Sequence, residues 1–86
     1  MPNIEKSQTR EEIISGALDA REQEVMHYQI NIDNYALALQ EINALPVDEQ
    51  VELSAFADQL KTLLASEKIE QKKAKIMLSV MKKQVG

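Results

Sequence analysis

From Ile14 to Ile42 the chain places a large side chain at alternating intervals of four and three residues. Ile14, Leu18, Arg21, Val25, Tyr28, Ile32, Tyr35, Leu39 and Ile42 form the row, and Arg21 is its one charged member. A mean spacing of about 3.5 residues is the seam of a helix packed lengthwise on another helix. A second row answers it beyond Pro46, through Leu53, Phe56, Leu60, Leu63, Glu67, Glu70, Ala74, Met77 and Met81. Alternating apolar and polar residues, the signature of a half-buried strand, are nowhere sustained.

Local signals set the ends of the two helices. Thr9-Arg10-Glu11-Glu12 has the form of a capping box, in which a Thr hydroxyl and a Glu carboxylate each satisfy a free backbone N–H. The first helix is expected over about 9–45, with residues 1–8 frayed and a bend allowed at Gly16. Pro46 disfavours helix at Leu45 and lacks a donor, so it ends that helix. Residues 46–47 form the turn. The second helix runs over about 48–83, with Asp48, Glu49 and Glu52 in its first turn, where the helix dipole favours negative charge. The expected fold is all-α: a long antiparallel helical hairpin, residues 9–86 forming one domain, which dimerises into a four-helix bundle. A hinge at Gly16 would give a bent three-helix monomer instead.

Folding the chain back at Pro46 pairs residues whose numbers sum to roughly 95. Glu67 and Glu70 then fall level with Tyr28, Val25 and Arg21. An Arg21–Glu70 ion pair, with the Tyr28 hydroxyl near Glu67, would make a polar layer that fixes register.

Each helix carries apolar residues that a single partner helix leaves uncovered. Met26, Ile30, Leu37 and Ala44 lie roughly opposite the first seam at 100° per residue, and Ile69, Ile76 and Val80 form a stripe beside the second. With 86 residues and no cysteine, the chain is near the size at which one core is marginal, and it has no disulfide to help. Self-association through Met26, Ile30, Leu37, Ile76 and Val80 is therefore expected.

Charge sharpens this picture. The net charge is -4, made of four acids and three bases in 1–21, eight acids and no Lys or Arg in 22–60, and seven lysines with two glutamates from 61 onward. Glu41, Asp48, Glu49 and Glu52 gather at the turn end and are the candidates for docking a heterologous protein partner. Lys61, Lys68, Lys72, Lys75 and Lys82 share one face of the second helix. No aromatic residues are interleaved with them for base stacking, so they are read as a solvated face and nucleic acid is not expected. No run nears the ~18 apolar residues of a membrane span, so a cytoplasmic protein without membrane contact is expected.

Candidate chemistry is thin. Glu24-Val25-Met26-His27 has the Glu-x-x-His spacing used in di-metal bundles, which makes a metal-binding bundle of Glu24 and His27 an alternative if symmetry repeats the motif. There is no cysteine nucleophile, no glycine-rich phosphate loop, and a single histidine, so neither an enzyme nor a cofactor is expected.

Residues 45–53, Leu-Pro-Val-Asp-Glu-Gln-Val-Glu-Leu, followed by Phe56 and Leu60, resemble the helix opening of small bacterial helical proteins, antitoxin-like ones among them. Two helices about a Pro-containing turn are similar in plan to type III secretion needle subunits and their small helical chaperones. That likeness implies a polymerising structural subunit as a further alternative. In size, acidity and helical class the chain also resembles small phage-encoded proteins that bind and redirect a host protein. The leading expectation is a non-enzymatic interaction module acting as adaptor, inhibitor or chaperone.

Overall fold

The computed structural model describes residues 9–85, so the expectation for residues 1–8 lies outside the described part. The described chain is α-helical: α1 (Arg10–Asn43), the short α2 (Val47–Glu52) and α3 (Ser54–Val85). α1 and α3 pack along their lengths as an antiparallel hairpin, and the molecule measures 71 × 26 × 16 Å. It is a slab one helix thick. Its radius of gyration is 20.1 Å, against the roughly 12 Å of a compact domain of this length.

The capping box is present at the start of α1. The Glu12 N–H donates to the Thr9 hydroxyl oxygen at 3.1 Å, and the Thr9 N–H donates to Glu12 Oε1 at 3.1 Å. α1 continues through Gly16 without a break, and the space around Gly16 is open. The bent three-helix monomer is therefore not the fold.

The turn comes two residues earlier than the Pro46 signal alone gives, with Ala44 as the C-cap of α1. Gln50 holds it. Its side-chain amide donates to the Leu45 carbonyl at 2.7 Å and to the Asn43 carbonyl at 3.2 Å, closing carbonyls that the end of α1 leaves free. The Pro46 carbonyl accepts the first α2 bond from Gln50 N–H at 3.0 Å. A second irregularity separates α2 from α3 at Leu53 (φ -99, ψ 10), where the sequence has neither Pro nor Gly.

The α1 seam is the expected one. All nine residues of the row are half-buried or buried, with Ile32 and Ile42 deepest. On α3 the register differs from expectation. Leu60, Glu67, Ala74 and Met81, with Leu53 just before the helix, do face α1, but the positions between them are Ala57, Leu64, Gln71 and Leu78. Phe56, Leu63 and Met77 are instead exposed, at 48%, 38% and 45%. The two rows are alternatives that share every other residue. The one adopted buries the amide of Gln71 rather than the carboxylate of Glu70, which avoids desolvating a charge. Only Ile32, Ile42, Leu60 and Ala74 form the buried apolar core of the described chain.

Candidate interaction surface

The middle of the seam is polar, but its pairs differ from those the fold-back predicts. Arg21 does not reach Glu70: its Nη1 donates to Glu24 Oε1 at 2.6 Å within α1. Glu70 pairs with Lys73 at 2.9 Å within α3. Both are three-residue steps along one helix, which local geometry reaches more readily than a cross-helix pair. Glu67 accepts from Asn31 Nδ2 at 3.2 Å, in the place expected for the Tyr28 hydroxyl. Tyr28 still lies among the carboxylates. Its own burial, then the negative charges of Glu24, Glu70 and Glu67, raise its pKa above the ordinary value, against the opposing effect of Arg21.

The one buried polar side chain of the described core is Gln71, 8% exposed. Its amide donates to the Val25 carbonyl at 3.3 Å and to Gln29 Oε1 at 2.9 Å. At the open end, Lys82 comes within 4.0 Å of Glu22, and Arg10 Nη2 donates to Gln84 at 3.5 Å. The Arg10–Gln84 contact matches the expected pairing register, whereas Lys82 reaches Glu22 from more than a helical turn outside it.

All five residues singled out for self-association are exposed: Met26, Ile30 and Leu37 on α1, Ile76 and Val80 on α3. The structure does not bring them together. Ile30 and Leu37 point directly away from the α1 seam, and Ile69 and Ile76 directly away from the α3 seam. The two stripes thus form opposite narrow edges of the slab. Phe56, Leu63, Met77 and Val80 lie between edge and seam, on one broad face. A shallow groove between the helices, lined by Ala17, Ala20, Arg21, Glu24 and Met81, runs near the open end.

At the turn end, Glu41, Asp48, Glu49 and Glu52 are all exposed. Among them stand two apolar side chains that the sequence reading did not single out, Val47 at 76% and Val51 at 67% exposure. Their spacing of four residues in a short acidic helix was the available signal. Together they make an acidic knob with an apolar centre.

Of the Glu-x-x-His pair, Glu24 is engaged by Arg21 and His27 is exposed. Among the described residues no three His, Cys, Asp or Glu side chains converge as metal ligands. No described helix is long and apolar enough to cross a membrane. The chain matches no protein-family model, no curated protein and no solved structure.

Proposed function

We propose that this chain is a non-enzymatic protein–protein interaction module, an adaptor, inhibitor or chaperone, that self-associates and occupies a partner protein. The observation that carries this reading is the ratio of surface to core. Four apolar residues are buried, while thirteen large apolar side chains of the described chain stand exposed. Exposed apolar residues in rows, on a fold with so small a core, mark surfaces that bury against other chains. The acidic knob of Val47, Val51, Asp48, Glu49 and Glu52, with Glu41 beside it, is the surface for a heterologous partner. Its chemistry suits a basic, apolar segment.

Light scattering at tens of micromolar tests self-association. The wild type is expected to exceed monomer mass, and the combined variant Leu37→Glu, Val80→Glu to fall to monomer with its helicity intact. A strictly monomeric wild type would overturn the reading.

One observation favours a second reading, the polymerising subunit. Because the two outer stripes lie on opposite edges, an α1 edge meeting the α3 edge of the next copy is a heterologous contact, and such contacts need not close. Electron microscopy decides it: filaments or ribbons at high concentration support this reading, and discrete small particles across salt and concentration exclude it.

A further inference from the structure

We infer that the self-association rests on an isologous, antiparallel contact between the α3 helices of two copies, made through a second seam on the broad face. This rests on the proposed self-association and specifies its face, its partner and its orientation. Leu63, Ser66, Glu70, Lys73, Met77 and Val80 follow the same 3-4 spacing as the intramolecular seam, displaced about 100° around α3. All but the half-buried Glu70 are exposed. The row is self-complementary when read backwards. In an antiparallel pairing Leu63 meets Val80 of the second copy, Ser66 meets Met77, and Glu70 meets Lys73. The pairing then repeats on the other side of the dyad. The Glu70–Lys73 bridge, 2.9 Å long and solvent-exposed within one chain, becomes two reciprocal bridges at the centre of the contact.

Charge selects this orientation over the parallel one. The half of the hairpin nearest the turn, residues 27–70, holds eight carboxylates and two lysines, net -6. The open half, residues 10–26 with 71–85, holds seven bases and five carboxylates, net +2. Antiparallel stacking lays each acidic half on a basic one, whereas parallel stacking lays -6 on -6. A parallel face-to-face dimer would also set α3 on α1 of the second copy, where no complementary apolar row faces it. Area is sufficient. With the dyad between Gln71 and Lys72, residues 58–85 of α3 overlap over about 42 Å, and a face about 20 Å wide then offers on the order of 800 Å², the area each partner gives to a standard interface.

The chain has no cysteine, so introduced ones are unique. Leu63→Cys and Val80→Cys proteins are mixed and oxidised, and the disulfide products are sorted by mass. The mixed 63–80 dimer is expected to dominate over either self-linked product. Separately, Lys73→Glu is expected to weaken the dimer roughly tenfold, from two lost pairs and two new repulsions, and Glu70→Lys, Lys73→Glu to restore it. A dimeric wild type with self-linked 63–63 as the main product overturns the antiparallel contact and leaves the module reading standing. So does a Lys73→Glu protein that dimerises as well as the wild type. A monomeric wild type overturns both.

Discussion

The side-chain amide of Gln71 on α3 donates to the backbone carbonyl of Val25 on α1, 3.3 Å away across the hairpin. A second bond to Gln29 Oε1 uses the other amide hydrogen, so the buried donor group is fully satisfied. Gln71→Ala removes both bonds and leaves unfilled space beside the seam. It is expected to cost about 1–2 kcal/mol, seen as a fall in midpoint of several degrees in thermal denaturation followed by circular dichroism. Gln71→Leu keeps the volume and removes the buried amide; Gln29, the side chain it strands, is only half-buried and can turn to water, so the loss should stay below about 1 kcal/mol. A large loss with Leu would show that the hydrogen bonds, not the packing, hold this level of the hairpin.

The same residue shows how far the sequence leads and where it stops. The hairpin, the capping box and the whole α1 seam are legible from spacing, because α1 has one apolar row facing its partner and one directly opposite. α3 has two overlapping 3-4 rows that share Leu60, Glu67, Ala74 and Met81. Periodicity alone cannot rank Leu63 against Leu64 or Glu70 against Gln71. The choice follows from the relative cost of burying a carboxylate and an amide, which becomes decisive only once α1 is opposite. For the candidate surface, exposure of Met26, Ile30, Leu37, Ile76 and Val80 was legible as amphipathic excess. The placing of Ile30 and Leu37 on one edge, Ile76 on the other and Val80 on the broad face was not, because it depends on which α3 row turns inward. Val47 and Val51 carry only a single four-residue step as their signal, because α2 is too short to repeat it.

Gly16 offers a test of the uninterrupted α1. It lies in the helix interior, with helical φ and nothing within 4 Å of where a Cβ would stand. Gly16→Ala is therefore expected to stabilise the hairpin by about 0.5–1 kcal/mol, through lost flexibility of the unfolded chain and better helix propensity. Thermal denaturation at fixed protein concentration measures it. A destabilised Gly16→Ala protein would mean that the helix bends at this point in solution.

Acid should fray the start of α1 before it unfolds the hairpin. The backbone N–H of Thr9, and next its side chain, hold the Glu12 carboxyl below its ordinary value of 4.5. A carboxylate with a lowered folded pKa contributes stability that is full above the unfolded value. That stability is lost as pH falls from 4.5 through the lowered value. Amide exchange in the first turn should accelerate over that window in the wild type. In Glu12→Ala the titrating carboxylate that accepts the Thr9 N–H is absent, so exchange there should be fast and nearly independent of pH once the intrinsic rate is divided out. Equal protection of the two proteins above the window would remove the cap from the account.

Leu63 and Leu64 are neighbours with opposite duties, and comparing them separates the core of one hairpin from the contact between two. Leu64 faces α1, while Leu63 is 38% exposed on the broad face. At protein concentrations low enough to keep the chain monomeric, Leu64→Ala is expected to cost about 2 kcal/mol. Leu63→Ala should cost less than about 1, because far less of its side chain leaves an apolar site. At high concentration the order of their effects on assembly should reverse. Leu63→Ala then lowers the mass measured by light scattering at a given concentration, whereas the folded fraction of Leu64→Ala still associates through an intact outer row. If Leu63→Ala proves the more destabilising in the monomer, Phe56, Leu63, Glu70 and Met77 form the inner row after all. The outer face of α3 would then be Leu64, Gln71 and Leu78, and the reciprocal Glu70–Lys73 pairing would have no place in the dimer.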